Sequence, residues 1–460
     1  MAVPRTYHLV TLGCPKNDVD SEHLERLLTG GELLPVVEPQ AADAIIVNTC
    51  GFIEQSQAQS IEAVKALCEQ KRDGQTLIVA GCMTQLYGRQ VKEEHPAIDH
   101  VFGVGQWQDV ARLLSVDVEA IHDIPESNVK VTGPSAYLKI SDGCDAPCTF
   151  CVIPKIKGGL RSAPAGLLVK EAERLAAAGA KELVLVGQDT TAWGEDLGMA
   201  VGAGLPGLLE LLSAAVPDTW LRLMYAYPSR VTPRLIETMA SLPNVIPYLD
   251  VPLQHGSEAV LRRMKRPSNV EKVLRTIEEL RAAMPDIVLR TSFIAGFPGE
   301  TEEEFRELLA FARAAAFDHA GCFTYSRQQW TGAFEMADQV PDELKAERRD
   351  RFMVQQRRIA AKRAKRFRGR ELDLLVEGTG DDEDGNPVVA GRTYREAPEV
   401  DGLVFARGAA AAGDRVRVRI EETADYDLFG TVIASPLSRP LRERVSLPSN
   451  GKAPVARPRP

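Results

Sequence analysis

The chain lacks any apolar run long enough to cross a bilayer, and its opening Met1-Ala-Val-Pro-Arg-Thr-Tyr-His8 carries no apolar core with a cleavage-like site. A cytoplasmic location without membrane attachment is therefore expected. Eight cysteines in 460 residues do not form the pattern of a secreted disulfide framework, and their local spacing suits metal binding in a reducing compartment. Histidine is scarce. None of the seven falls between Asp123 and Gln254, so a cysteine site in that stretch has no imidazole to complete a four-ligand zinc knuckle. Lysine is absent from Glu371 to Ile433, where fifteen acidic residues, including the run Asp381-Asp-Glu-Asp384, stand against six arginines. A module charge near minus nine repels a phosphate backbone and suits a lysine- and arginine-rich protein partner. An ordinary solvated acidic surface has the same composition.

What is present is a concentration of thiols. Cys144, Cys148 and Cys151 stand as C-x3-C-x2-C after the strand-like run Ala136-Tyr-Leu-Lys-Ile-Ser-Asp-Gly, with Phe150 just before the third cysteine. Three thiolates at this spacing can each reach a different iron of one cubane and leave the fourth iron open to a reactive ligand. Three further cysteines, Cys14, Cys50 and Cys82, each end an apolar run: His8-Leu-Val-Thr-Leu-Gly, Ala44-Ile-Ile-Val-Asn-Thr and Leu77-Ile-Val-Ala-Gly. In an open parallel sheet, ligand sites gather beyond the carboxyl ends of the strands, so these three can converge on a second centre. Cys68, in a helical run, and Cys322, in a late strand-like run, lack that placement and read as core residues.

The C-x3-C-x2-C spacing with its aromatic resembles the signature of the radical S-adenosylmethionine enzymes, and the two triads together resemble the methylthiotransferase family over nearly the whole chain. The resemblance implies two 4Fe-4S clusters, one on Cys14, Cys50 and Cys82, the other on Cys144, Cys148 and Cys151. It also implies S-adenosyl-L-methionine, used once as methyl donor and once as radical source, to replace a C-H bond by C-S-CH3. Leu12-Gly-Cys14-Pro-Lys-Asn17 and Gly391-Arg-Thr-Tyr-Arg-Glu-Ala-Pro-Glu-Val-Asp-Gly402 resemble the RimO-type branch. In that branch the substrate is the β-carbon of an aspartate in the small-subunit ribosomal protein twelve. The other large branch methylthiolates a tRNA adenosine; the acidic C-terminal module argues against stable tRNA binding. The family also implies an electron donor such as flavodoxin or ferredoxin. One departure stands at Tyr325-Ser-Arg-Gln-Gln-Trp-Thr331, where RimO-type chains generally show acidic residues and a Gly before the Thr.

The expected fold class is α/β. Residues 5–118 alternate strand-like runs with helical stretches such as Ser21 to Leu28 and Ser56 to Glu69, the pattern of a doubly wound sheet. A hinge is expected around Pro125 to Pro134. Residues 130–368 read as a partial (β/α) barrel, with strands such as Glu182–Val186, Leu221–Met224 and Val288–Ile294, a helix over Val270–Ala283, and a helix from Pro341 to Arg370 whose arginines form a solvated face. Residues 371–435 alternate apolar and polar positions as in a small antiparallel barrel, the OB-like TRAM domain of the family. The Pro- and Arg-rich 436–460 reads as a disordered tail. Removal of everything after about Arg370 is expected to spare both clusters and uncoupled S-adenosylmethionine cleavage.

Several strand-end residues are candidates for holding S-adenosylmethionine: Phe150, Gln188, Asp189, Gln254 and Gly296. The resemblance places Gly187-Gln188-Asp189 against the methionyl amino group. For Gln254 and the adjacent His255, contact with cofactor or substrate and a hydrogen-bonded structural role are both open. Arg222 and Arg230 could pair with carboxylates of cofactor or substrate, or form surface ion pairs. Thr301, before an acidic first turn, could cap a helix.

Overall fold

The computed structural model describes residues 5–120, 131 and 133–434. Most of the expected hinge and the whole tail lie outside the described residues. Five parallel strands, β1 (Thr6–Thr11), β2 (Leu34–Pro35), β3 (Ala44–Thr49), β4 (Thr76–Gly81) and β5 (His100–Val101), form the first sheet in the order β2-β1-β3-β4-β5. Helices α1 (Pro15–Gly30), α2 (Glu54–Gln70), α3 (Cys82–Glu94) and α4 (Trp107–Leu113) cover it. β3 is buried throughout, with Ala44 and Ile46 in one apolar cluster and Ile45 and Val47 in the other, as the two-residue period of a strand covered on both faces requires. α1 starts six residues earlier than its apolar periodicity indicates, because Pro15 occupies the first helical turn, where a missing N–H costs nothing.

The second sheet is also parallel, with β6 (Ser135–Lys139), β9 (Glu182–Val186), β10 (Trp220–Leu223), β11 (Val245–Asp250), β12 (Val288–Ala295) and β13 (His319–Thr324) in the order β13-β12-β11-β10-β9-β6. A short hairpin, β7 (Ser141–Asp142) with β8 (Arg161–Ser162), follows β6. Helices α5 (Ile153–Ile156), α6 (Ala165–Ala177), α7 (Gly204–Ala215), α8 (Pro233–Ser241), α9 (Glu258–Arg263), α10 (Val270–Ala283) and α11 (Glu302–Ala315) intervene. Leu183, Leu185, Leu221, Leu223 and Leu289 point to the helical layer. The alternate positions Val184, Val186, Trp220, Ile246, Tyr248 and Val288 join instead a cluster with Leu372, Leu374, Val376, Val416 and Val418 of the C-terminal barrel. That barrel is closed in the order β14-β15-β16-β18-β17, from β14 (Glu371–Asp381), β15 (Pro387–Arg392), β16 (Val404–Arg407), β17 (Arg415–Thr423) and β18 (Leu428–Ala434). It thus completes the core of the partial barrel, and removing it would strip Trp220 and Tyr248, which are fully buried. The expectation that truncation after Arg370 spares the rest does not fit this packing.

Charged groups seal the same interface. Arg222 is wholly buried, donates to Glu182 at 2.7 Å and to the carbonyl of Tyr394 at 2.9 Å, and lies over the Tyr248 ring. It therefore belongs neither to a ligand site nor to the surface, in contrast to both readings of the sequence. The helix expected from Pro341 runs as α12 (Asp342–Ala364) and ends in a 3-10 turn, Lys365–Phe367. Its arginines are not simply solvated: Arg348 is buried against Glu300 at 2.9 Å, while Arg363 and Arg366 meet Asp318 at 3.1 and 2.7 Å. These pairings follow from the packing of α12 along β12 and β13.

Thr301 does cap α11. Its hydroxyl accepts from the Glu304 N–H, and the Glu304 carboxylate accepts from the Thr301 N–H, a reciprocal capping box. Thr301→Ala is expected to lower stability by about 1 kcal/mol, read as a shift in the urea midpoint with unchanged slope.

Candidate metal centres and cofactor cleft

Cys50 and Cys82 directly follow β3 and β4, and Cys14 stands three residues past the end of β1; the three strands are adjacent. β1 and β3 are where the strand order reverses, the place at which open α/β sheets bind ligands. Close approach of the loops depends on Gly13, whose φ is +112°; a Cβ there would stand 2.7 Å from the Cys50 Cβ and 2.9 Å from its sulfur. Asn17 ties the three loops together. Its amide donates to the carbonyls of Leu12 and Thr49 at 2.8 and 3.3 Å, and its oxygen accepts from the Cys82 thiol at 3.7 Å. Ser60 brackets Cys50 from behind by hydrogen bonds to both its N–H and its carbonyl. Burial pushes the Cys50 thiol up, and pushes Cys82 up to about 12, with neighbouring Cys14 adding to both.

The second triad occupies the loop between β7 and β8. Gly143, at φ +73°, could not be another residue: its Cβ would meet the Gly159 carbonyl oxygen at 2.0 Å. Cys144 accepts from the Ala146 N–H at 3.4 Å and donates its own N–H to the Gly158 carbonyl. Cys148 receives the Arg266 guanidinium at 3.7 Å, and that guanidinium stacks over the Tyr227 ring at 4.2 Å. Thr149 anchors the loop to α9 through the carbonyls of Arg263 and Met264. Burial pushes Cys151 up to about 12, with Cys148 and Cys144 contributing.

The first triad meets the segment that follows the second at the domain interface. Cys82 packs with Val152, the residue after Cys151, and with Ile156 at the end of α5. Lys157 is buried beside them and bridges Asp20 of α1 at 2.9 Å and Asp142 of the hairpin at 3.4 Å. Lys16 lies over the Tyr225 ring at 3.5 Å. All eight cysteines are free thiols, and among the described residues no group of three His, Cys, Asp or Glu could hold a single ion. Thiolates that serve different irons of a cubane stand wider than those sharing one ion, and an all-sulfur, secluded donor set fits such a cluster. Cys68 and Cys322 sit in apolar clusters.

Around the second triad the S-adenosylmethionine candidates take distinct positions. Gln188 Oε1 is buried without a hydrogen-bond partner, an acceptor available to an ammonium group. The Asp189 carboxylate is already engaged: it accepts from Thr191 and Ala192 N–H groups and from Arg230 at 3.1 Å. Arg230 is held in turn by Glu195 at 2.6 and 2.7 Å. Gln254 adopts φ +75° and bridges to Phe293, a strained backbone of the kind that gathers at ligand sites. His255 is fully buried; its Nδ1 accepts from the Ser257 N–H at 2.9 Å and its Nε2 faces Glu300 at 3.3 Å. Its Nε2, like Gln188 Oε1, is buried without a hydrogen-bond partner. Glu300 also accepts from the Gly296 and Phe297 N–H groups, and Gly296, at φ +75°, abuts Lys345 so closely that a Cβ would lie 2.2 Å from its Cγ. Phe150 packs with Met264, Phe297 and Tyr325. Sequence reading missed Asn17, Lys157 and Arg266; only Asn17 carried a signal, as part of the quoted Cys14 motif.

An open parallel barrel whose first loop holds C-x3-C-x2-C defines a radical S-adenosylmethionine enzyme, here flanked by a doubly wound domain and a closed β-barrel. Family models match in the same order: Uncharacterized protein family UPF0004 over residues 6–103, the Radical SAM superfamily over 138–312 and the TRAM domain over 369–433. The chain is 42% identical to the ribosomal protein uS12 methylthiotransferase RimO of Herpetosiphon aurantiacus, covering 93% of this chain and 100% of that one. It is 43% identical to that of Chloroflexus aurantiacus, with the same coverage, and 42% identical to that of an Anaeromyxobacter species, covering 98% and 97%. The chain belongs to the RimO family of radical S-adenosylmethionine methylthiotransferases. The fold is shared with the radical S-adenosylmethionine methyltransferase TsrM from Kitasatospora setae, at a TM-score of 0.54 and 16% identity over 72% of this chain and 77% of that one. Among the described residues no helix is long and apolar enough to cross a membrane.

Proposed function

We propose that this enzyme replaces a C-H bond at the β-carbon of an aspartate in ribosomal protein uS12 by a methylthio group, using two 4Fe-4S clusters and S-adenosylmethionine. The observation that carries the reading is the packing of Cys82, of the first triad, against Val152 and Ile156, which follow the second, in a chain similar to a RimO protein over 93% of its length. Cys14, Cys50 and Cys82 hold one cluster, and Cys144, Cys148 and Cys151 the other, within domains 5–118 and 130–368. A cluster held by Cys144, Cys148 and Cys151 would supply the electron for reductive cleavage of S-adenosylmethionine, the chemistry needed to take hydrogen from unactivated carbon.

The protein's own groups orient and seclude. Arg266 places a positive charge on Cys148, Gln188 offers its buried carbonyl oxygen to the methionyl ammonium, and Arg230, fixed by Glu195, holds Asp189 beside Cys144. Phe150, Gln254 and Gly296 shape the remaining wall of the cleft. An electron donor such as flavodoxin or ferredoxin supplies the reductant, and tRNA is not stably bound. The test is anaerobic reconstitution with iron, sulfide, reductant and S-adenosylmethionine, with uS12 and tRNA offered in parallel and both weighed by mass spectrometry. One methylthio group on a uS12 aspartate is the expected result; its appearance on a tRNA adenosine would overturn the substrate assignment.

A further inference from the structure

The segment that departs from the RimO-type pattern, Ser326-Arg-Gln-Gln-Trp-Thr331, crosses between the two triads. Gln328, only 5% exposed, accepts at its Oε1 from Gln57 Nε2 at 2.8 Å, and the same Gln57 nitrogen donates to the carbonyl of Gly51, next to Cys50, at 3.0 Å. Ser326 Oγ accepts from Gln328 Nε2 at 2.7 Å and from the Glu54 N–H at 3.4 Å. At the other end the Ala333 N–H donates to the carbonyl of Thr149, which lies between Cys148 and Cys151, at 2.7 Å. Thr331 Oγ1 closes the loop on the Gln328 carbonyl at 2.7 Å. Within eight residues one strap thus touches Thr149, beside Cys148, and reaches Gly51, beside Cys50, through Gln57.

Trp330 makes the strap more than a chance contact. Its φ is +61°, a left-handed backbone that suits glycine and strains a bulky residue. Burial does not hold it there, since it remains 49% exposed. Its ring meets Tyr87 instead, with centroids 5.1 Å apart, and Tyr87 lies on α3, the helix that Cys82 opens. Such strain persists where surrounding contacts over-determine it, and it gathers at functional sites. Arg327, exposed, braces the loop through two hydrogen bonds to the Phe334 carbonyl, at 3.0 and 2.8 Å.

We infer that Gln328 and Trp330 are positioning residues: they clasp the first domain to the barrel and fix the Cys50 loop opposite the Cys148–Cys151 loop, coupling radical formation to sulfur transfer. The inference rests on the two-centre reading above. It concerns geometry between the centres and leaves S-adenosylmethionine cleavage to the second triad alone.

The test compares reconstituted wild type with Trp330→Gly, Trp330→Phe and Gln328→Ala. Trp330→Gly removes the ring and the backbone strain together, so folding is not at risk. In Trp330→Gly and Gln328→Ala, 5′-deoxyadenosine formation should stay within about twofold while methylthiolated uS12 per deoxyadenosine falls about tenfold to a hundredfold, the scale of a small misplacement. Trp330→Phe should retain most coupling. Hydrogen exchange should quicken in residues 51–57 and 84–90 of Trp330→Gly and Gln328→Ala. Unchanged coupling with unchanged exchange overturns the clasp, as does loss of cleavage and coupling in equal proportion. If wild type leaves uS12 unmodified, the substrate reading fails, and the exchange measurement still decides whether the clasp exists.

Discussion

Cys82→Ala should lose about half of the reconstituted iron and all methylthio transfer, yet still cleave S-adenosylmethionine, whereas Cys151→Ala should lose the other half and the cleavage with it. The asymmetry follows from where the thiols stand. Cys82 opens α3 of the first domain and meets the segment after the second triad through Val152 and Ile156, so its removal leaves Cys144, Cys148 and Arg266 in place. Cys151 shares its loop with the other two thiols, its N–H donating to the Cys148 carbonyl at 3.2 Å. Each substitution removes one sulfur; Cys82→Ala also takes from the Asn17 oxygen the weak thiol donor at 3.7 Å, a small loss beside that of the cluster ligand. Iron content, the absorbance of the cluster and 5′-deoxyadenosine are read on the same samples. Undiminished iron in Cys82→Ala would mean that the first triad holds no cluster. Loss of all iron in either variant would mean that the centres do not form independently.

The parts of this molecule that sequence exposes are those whose cause is local. Glu182–Val186 and Val270–Ala283 fall where apolar runs and caps put them, and each cysteine of the first triad is visible because a strand must end before a loop can hold a ligand. Arg222 is the opposite case. It sits between Leu221 and Leu223 in a buried strand, and its partners Thr393 and Tyr394 lie more than 170 residues away, on a module whose docking face no periodicity announces. Net charge misleads in the same way. Glu396 and Asp401 are counted among the acidic residues of that module, but their side chains are buried, against Arg395 in the first case and between Arg290 and His319 in the second. Asp382, within the acidic run, accepts from the Asp384 and Asn386 N–H groups and so builds the β14–β15 turn. Asp381, Glu383 and Asp384 remain exposed, as do Glu371, Glu377, Glu399, Glu421 and Glu422, so the exposed acidic charge is smaller than the count of fifteen but is not confined to the hairpin tip.

The second large effect is on stability, at the seam between the partial barrel and the C-terminal one. Arg392 is buried and donates to Glu182 at 2.9 Å, Glu377 at 2.6 Å and Ser135 at 2.6 Å. Arg392→Met removes these bonds and leaves the fully buried Glu182 with Arg222 and Ser135 only, a loss expected at about 3–5 kcal/mol. Because several domains are present, the loss is best read from hydrogen exchange of the β14–β18 amides, which report release of the module directly. Burial alone would raise the Glu182 carboxyl, but Arg222 and Arg392 overcome it and hold the group at about 2, against an ordinary 4.5. Its stabilisation is therefore complete above the unfolded value and is lost as pH falls from about 4.5 towards 2. Wild type should accordingly lose module protection over that acid range, while Arg392→Met, already deprived of one partner, should show a shallower dependence. A variant that kept full protection at neutral pH would show that apolar packing of Trp220 and Tyr248 suffices to hold the module, with the charges adding nothing to its docking.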